Sequence, residues 1–509
     1  MSIQNNIDRI TDILRRDDGI SGAMHYTEQI SWILFLKFLN DYEDNKADEA
    51  FLEGTDYNYV LRKDLRWHQL ACPKDDDGKL DLKRANSGSD VNNTLFPYLK
   101  AFKSTTNDPK TLTYKIGAIF EYLDNRIASG HTLREVLDII DRLDFQSSNE
   151  LFELSQVYEN LLKSMGSDGG NSGEFYTPRA IIKAMVETTD IKVGDTIYDG
   201  AVGSGGFLVE AFDFLTEGDK KEKLSAKDWE TIQNDTFFGQ EKTSLGYVMG
   251  MMNMILHGIE SPNVFKGNTL TQNIRDYQEK DRHNVILANP PFGGKEKKQI
   301  QQNFPVESNA TEILFLQHFM KMLKLEGRAA IVVPEGVLFQ TNNAFTKVKQ
   351  TLLENFNVHT IVSLPSGVFL PYSGVKTNII YFDRKGATNS IWYYDVTPPY
   401  KLTKNKPITY EHIKEFVHLF HNPIERNHTN AKVIARTKDV AISSKEAKSQ
   451  CHDWTVNIKD IKDYDLSAKN PHKVVEVIHQ SPKELLTAIK QNDSQIHTLM
   501  NQIESLIDG

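Results

Sequence analysis

The chain has 509 residues, 39% of them hydrophobic and 25% charged, and a formal net charge of −10. That length exceeds one ordinary core and predicts two or three domains of a soluble globular protein; no secretory leader and no membrane-spanning apolar run are expected. The acidic balance excludes strong autonomous binding to nucleic acid, which is driven largely by phosphate neutralisation, so a DNA substrate would need another chain to supply much of the affinity. Only Cys72 and Cys451 are present and they lack metal-ligand spacing, so a cytoplasmic location and no metal site are expected.

Ile3, Ile7, Ile10 and Leu14 have the spacing of one helical face. A second helix runs through Trp32, Ile33, Phe35, Leu36 and Leu39. Its apolar stretch at 30–39 carries Lys37 and is too short for a bilayer, so a buried helix is expected. Residues 43–110 are mixed and give no clear pattern. Helical spacing returns at 112–122, 133–140 and 149–162. Residues 1–165 thus read as an all-α domain, a cap or docking unit in which no residue proposes chemistry. Gly166-Ser-Asp-Gly-Gly-Asn-Ser-Gly173 reads as a linker over 166–173, or as a loop that closes over a ligand.

Glu174-Phe-Tyr-Thr-Pro-Arg179 leads into an apolar helix over 180–186. Thr177 suits its N-cap and Pro178 its first helical position. A short strand at 196–199 is followed by Gly200-Ala-Val-Gly-Ser-Gly-Gly206 and a helix over 207–215. A strand, a glycine-rich turn and a helix make a nucleotide-type pocket. The spacing is not the dinucleotide fingerprint, and the Lys-Ser/Thr of a phosphate loop is missing. Asp199 at the strand end would repel a pyrophosphate but can neutralise an ammonium, which favours S-adenosylmethionine.

A strand at 236–239 ends at Gln240-Glu241. An acid placed there can hold a ribose, although a polar insertion over 217–235 separates it from Asp199 by more than the usual distance. A helix over 245–257 carries a methionine-rich face expected in the core. Gly267-Asn268-Thr269 forms a turn in which Asn268 can meet an adenine edge.

The decisive stretch is Asn284-Val-Ile-Leu-Ala-Asn-Pro-Pro-Phe292. Residues 285–288 suit a strand buried on both faces. Pro290 and Pro291 lack N–H groups and end it. The loop therefore presents an amide, a fixed carbonyl and a ring at the carboxyl end of a strand, where open α/β sheets bind ligands. The Asn289 oxygen and the Pro290 carbonyl can accept both hydrogens of a conjugated amino group, and Phe292 can stack on its planar ring. The lysines that follow, in Gly293-Gly-Lys-Glu-Lys-Lys298, either touch a phosphate backbone or form a solvated loop. A helix over 313–323 and strands at 329–333, 360–364 and 378–382 complete an alternating pattern, which implies a mainly parallel sheet. Residues 401–509 lose that pattern, and a heptad-like row from Leu485 to Leu506 marks a partner-binding helix over 481–508.

Taken in order, these motifs resemble an adenine-N6 DNA methyltransferase, and more narrowly the modification subunit of type I restriction–modification systems. Trp32-Ile-Leu-Phe-Leu-Lys-Phe-Leu39, Gly-Arg-Ala-Ala-Ile-Val-Val-Pro-Glu335 and Val-Lys-Thr-Asn378 fit that subunit as well. The family usually has proline where Gly200 stands, a change expected to loosen the turn without removing a contact. The resemblance implies an α/β Rossmann-like S-adenosylmethionine-dependent methyltransferase domain over 174–400, flanked by the helical domain and a C-terminal helical extension. It implies that Glu174, Phe175, Tyr176, Thr177, Pro178, Arg179, Gly203, Ser204, Gly205 and Gly206 line the cofactor, with Glu241 on its ribose. It also implies that Asn289, Pro290, Pro291 and Phe292 form the catalytic loop around a flipped adenine. The implied partners are DNA, a sequence-specificity subunit, a motor–nuclease subunit and a second copy of the chain. Three alternatives stand beside this reading: a protein-glutamine methyltransferase, whose Asn-Pro-Pro usually precedes Tyr rather than Phe; cytosine-N4 methylation; and a non-catalytic scaffold of a defence complex.

Overall fold

The computed structural model describes residues 3–81, 83, 90–106, 108–143, 145, 176–371, 373–426, 452–471 and 500. The expected helix at 149–162, the linker at 166–173, Glu174, Phe175 and the C-terminal helix, apart from Met500, lie outside the described residues. One compact unit takes in residues 1–429 and 452–469, and the features below belong to it.

Its centre is a 9-stranded sheet in the order β3-β2-β1-β4-β5-β7-β6-β8-β9. The strands are β1 (Ile197–Asp199), β2 (Phe237–Glu241), β3 (Asn263–Lys266), β4 (His283–Ala288), β5 (Leu323–Pro334), β6 (Asn357–Ser363), β7 (Thr377–Asp383), β8 (Ser390–Asp395) and β9 (Asp453–Asn457). The first five run parallel to one another. β7 is antiparallel to both β5 and β6, β8 is parallel to β6, and β9 is antiparallel to β8. The sheet is thus mainly parallel, with two reversed strands in its second half.

Val285, Ile286, Leu287 and Ala288 of β4 are all fully buried, as an unbroken apolar run between two covered faces should be. β1 lies between β2 and β4, so the chain leaves β1 in one direction and later returns on its other side. That reversal opens a crevice at the carboxyl ends of the strands, where Asp199, Glu241 and Asn289 stand.

Three strands escape the sequence pattern. β3 reads Asn-Val-Phe-Lys and is too short and polar at its ends to show alternation. β8 carries the strand-forming run Ile391-Trp-Tyr-Tyr394, buried throughout, which sequence reasoning overlooked. β9 sits within that region and is fixed by tertiary contact: the Trp454 ring stacks on Tyr393 at 5.4 Å, and Trp392 Nε1 donates to Asp453 at 2.9 Å.

The N-terminal helices form as their periodicity predicts. The helix Ile3–Leu14 buries Ile3, Ile7, Ile10 and Leu14. The helix Ala23–Leu52 buries the whole of 30–39, and Lys37 is tolerated there because its Nζ meets both Asp41 carboxylate oxygens at 2.6 Å. The stretch without a clear pattern holds the end of this helix, short turns, and the helix Phe96–Thr105.

The helices Ala23–Leu52 and Leu112–Phe120 pack on the helix Ser244–Leu256, which follows β2. Ser31 Oγ donates to Met249 Sδ at 3.4 Å, and the Tyr122 and Tyr247 rings meet edge to face at 6.0 Å. Nearby, Lys115 Nζ donates to the Pro262 carbonyl at 2.6 Å, and Tyr42 donates to Glu260 at 2.7 Å. Burial lowers the Lys115 ammonium to about 8. Met249, Met251, Met252 and Met254 are all buried, as core methionines should be.

Candidate active site

The loop after β1 is held in place from three sides. The Ala201 N–H donates to Asp199 Oδ1 at 2.9 Å, and the Thr269 hydroxyl donates to the Gly200 carbonyl. The Gly200 carbonyl is thus held by Thr269 from the neighbouring turn. Further along, the Gly203 N–H donates to Glu241 Oε2 at 3.0 Å, and Asn253 Nδ2 donates to the Ser204 carbonyl at 2.8 Å. Gly205 adopts a φ of +79° and caps the helix Gly206–Thr216, a left-handed conformation that disfavours any side chain.

Glu241 is buried at the end of β2. Its Oε1 accepts from the Thr243 N–H and hydroxyl, both at 2.8 Å, while Oε2 takes the Gly203 N–H. Its carboxylate thus joins the glycine loop to the start of the next helix, where the Thr243 side chain is the N-cap and accepts from the Gly246 N–H. Asp199 is 1% exposed. Burial pushes its carboxyl from an ordinary 3.8 up to about 8; the Ala201 N–H opposes that rise and the negative Glu241 adds to it. A buried carboxyl of this kind gains most from a cation placed beside it.

Asn289 follows the last residue of β4. Its Nδ2 donates to Thr177 Oγ1 at 2.9 Å, and its Oδ1 is buried with no hydrogen-bond partner. Pro290 is buried, and Pro291 and Phe292 are half-buried. The Phe292 ring meets the edge of Phe369 at 5.5 Å and 81°. Beyond it the chain is clamped: Lys295 bridges Ala310, and the Thr311 N–H donates to the Gly294 carbonyl at 3.2 Å. Glu296 accepts from Asn268 Nδ2 and Lys242 Nζ, each at 3.3 Å. Asn268 Oδ1 also accepts from the Leu270 N–H at 3.0 Å, so its amide is anchored at both ends. Lys298 pairs with Glu307, whereas Lys295 and Lys297 stay exposed.

The motif before the first helix of the sheet region differs from expectation in register. Pro178, not Thr177, is the N-cap of the helix Arg179–Thr188. Thr177 stands one residue outside, and its hydroxyl accepts from Asn289 instead of from a helix N–H. Arg179 pairs with Glu210 at 2.9 Å and so ties this helix to Gly206–Thr216. Tyr176 is half-buried just ahead of it.

Comparison with known proteins gives the family. The description N-6 DNA Methylase matches residues 150–481, and an HsdM N-terminal domain matches residues 3–140. The EcoEI methylase subunit of a type I restriction enzyme from Escherichia coli is 35% identical, over 100% of this chain and 98% of its own length. This chain belongs to the N-6 DNA methylase family. Among solved structures, one on complex assembly and conformational transition of the type I R-M system has a chain 37% identical, with a TM-score of 0.73, matched over 100% of this chain and 99% of that one. A modification subunit assigned to a type I restriction enzyme from Vibrio vulnificus YJ016 is 34% identical, with a TM-score of 0.76, matched over 94% of this chain and 99% of that one. Modification of DNA adenine by a type I methylase subunit is therefore the function of this chain, and its sheet is the Rossmann-like methyltransferase fold.

The crevice includes residues that the motifs alone did not reveal. Gly246, Gly250 and Asn253 recur at helical spacing and form the face of Ser244–Leu256 that meets Glu241 and the glycine loop. A Cβ on Gly250 would stand 2.6 Å from the Gly203 carbonyl, so loop and helix approach as closely as their backbones permit. The i, i+4, i+7 spacing was visible in the sequence but was masked by the methionines around it. Phe369 left no such signal, because only the fold brings it to Phe292. Among the described residues, no helix of the methylase is long and apolar enough to cross a membrane.

Proposed function

We propose that this methylase moves a methyl group from S-adenosylmethionine to the exocyclic nitrogen of an adenine turned out of duplex DNA. The observation that carries the reading is Asn289 Oδ1, a buried acceptor without a partner at the carboxyl end of β4. In this reading Asn289 Oδ1 accepts one hydrogen of the adenine amino group and the Pro290 carbonyl accepts the other. Two acceptors draw the nitrogen toward the pyramidal form whose lone pair attacks. Phe292 stacks on the base, braced by Phe369, and Pro291 stiffens the loop between them. Turning the base out costs a few kcal/mol, to be offset by that stacking and by contacts elsewhere in the complex.

The cofactor fits the cradle by its chemistry. Tyr176, Thr177, Pro178 and Arg179 make one wall in this reading and Gly203, Ser204, Gly205 and Gly206 the other, while Glu174 and Phe175, also assigned to the cofactor, lie outside the described residues. Asp199 offers a buried carboxyl to an ammonium. Glu241 holds two N–H groups and one hydroxyl and keeps lone-pair capacity for a ribose hydroxyl, while Asn268 meets the adenine edge. Bound there, S-adenosylmethionine supplies an electrophilic methyl on a cationic sulfur.

The net charge of −10 supports division of labour, in which a specificity subunit reads the DNA, a motor–nuclease subunit completes the restriction enzyme, and a second copy of this chain joins them. We assign 1–165 to the helical domain, 166–173 to a linker, 174–400 to catalysis, and 481–508, within 401–509, to the contact with the specificity subunit. The complex would work on host DNA in the cytoplasm. Single-molecule sequencing of host DNA, with and without this chain and its operon partners, tests the reading. Loss of N6-methyladenine from one bipartite motif, restored by the wild-type chain but not by Asn289→Ala, is the expected result. An unchanged adenine mark would overturn it and leave a protein substrate or an inactive scaffold.

A further inference from the structure

The hydrogen bond between Thr177 and Asn289 joins two motifs that are 112 residues apart in the chain. Thr177 stands just outside the helix Arg179–Thr188, and Pro178 rather than Thr177 is its cap, so the hydroxyl is not needed to start the helix. Asn289 has one amide donor group and one carbonyl acceptor on a short side chain. Rotated by half a turn about its last bond, the amide would present its NH₂ where its oxygen now stands. An amino group of a substrate would then meet a donor instead of an acceptor, and the site could not hold it. A hydroxyl can donate as well as accept, so it does not by itself choose between the two orientations, but a partner bonded to one side of the amide holds the group in place against rotation. Thr177 Oγ1, accepting from Nδ2 at 2.9 Å, is that partner, and Oδ1 is the atom left without one.

We infer that Thr177 is a positioning residue for the methyl-transfer step: its hydroxyl tethers the Asn289 amide by its nitrogen, so that the oxygen stands where the target amino group is to be met. This rests on the proposed role of Asn289 and adds to it. Thr177 need not touch the reacting atoms. Because Thr177 lies in the segment assigned to the cofactor wall, the same bond also lets that wall set the geometry of the catalytic loop. The order of the amide then depends on the cofactor side of the crevice being in place.

The experiment is a double-mutant cycle in the assembled modification complex, with single-turnover methyl transfer to a DNA oligoduplex at saturating cofactor, and cofactor affinity measured by calorimetry. Thr177→Val keeps the shape and removes the hydroxyl. A roughly tenfold fall in the single-turnover rate is expected, the effect of losing one hydrogen bond that holds the amide in place, with cofactor affinity within twofold of wild type. Thr177→Ser should restore most of the rate. In an Asn289→Ala background, Thr177→Val should cause no further loss, because there is no amide left to orient. If Thr177→Val instead weakened cofactor binding and left the saturated rate unchanged, the hydroxyl would be a cofactor contact and the inference would fall. Independent, multiplying losses in the double variant would overturn it too. A fully active Asn289→Ala complex would mean that the reading of the site itself is wrong, an outcome distinct from either of these.

Discussion

The two loops at the carboxyl edge of the sheet differ in how much of their polarity is already committed. In the loop after β1, Asp199, Gly200, Gly203 and Ser204 each bond to a surrounding group. In the loop after β4, Asn289 is held through its nitrogen alone, and its buried oxygen has no partner. A loop that cradles a bound molecule by shape benefits from being finished before the molecule arrives. A loop that grips a substrate amino group must keep an acceptor in reserve, and leaving a buried acceptor unpaired costs roughly 1–3 kcal/mol. The contrast separates binding from chemistry within one crevice.

Changing the finished loop at its buried carboxyl should give the largest effect. The Asp199 carboxyl sits near 8 in the fold against an ordinary 3.8. The folded state therefore retains a proton that the unfolded chain has released between those values. The stability tied to that proton is intact below about pH 4 and is lost as pH rises through about 8. Asp199→Asn removes the loss, so denaturant melts should show the variant gaining on wild type as pH rises, by on the order of several kcal/mol at pH 9. A difference that stays flat across pH would show that another group holds the proton.

Phe292→Ala tests the other loop. It should lower the rate of transfer by about 1–3 kcal/mol through lost base stacking, while calorimetry finds cofactor affinity unchanged. A fall in cofactor affinity instead would show that the two loops do not divide their work in this way. The smallest effect is expected at Asn253. Asn253→Ala strands the Ser204 carbonyl, but Asn253 Oδ1 is itself buried without a partner, so one unsatisfied acceptor leaves as another appears. A net loss of about 1 kcal/mol or less is expected, read as a slight fall in melting temperature and in cofactor affinity; a larger one would mean that the loop depends on this tether more than on Glu241.

Much of this was legible before the fold. The apolar run of β4, the stop imposed by Pro290 and Pro291, and the glycine turn after β1 each follow from local chemistry. The helix Ile3–Leu14 follows equally from its spacing. What was not legible depends on tertiary neighbours. Thr177 reads as a helix cap because threonine before proline commonly is one; only the approach of β4 gives its hydroxyl a different partner. Phe369 is an ordinary apolar residue until the turn after β6 is placed beside Phe292. β9 lies in a polar stretch and becomes a strand because Trp454 has a ring to stack on. Glu241 was found as an acid after β2, but its bonds to Gly203 and Thr243 could not be foreseen from spacing.

The helix Ser244–Leu256 carries a different burden on each side. Gly246, Gly250 and Asn253 meet Glu241 and the glycine loop, while Tyr247 and Met249 meet the N-terminal helices through Tyr122 and Ser31. A single rod therefore forms the back wall of the crevice and the landing for the first third of the chain. The two parts are not interchangeable modules: grafting the catalytic half onto a foreign N-terminal segment would leave an apolar flank against water, and any tilt of the rod would be felt within one residue of the cradle.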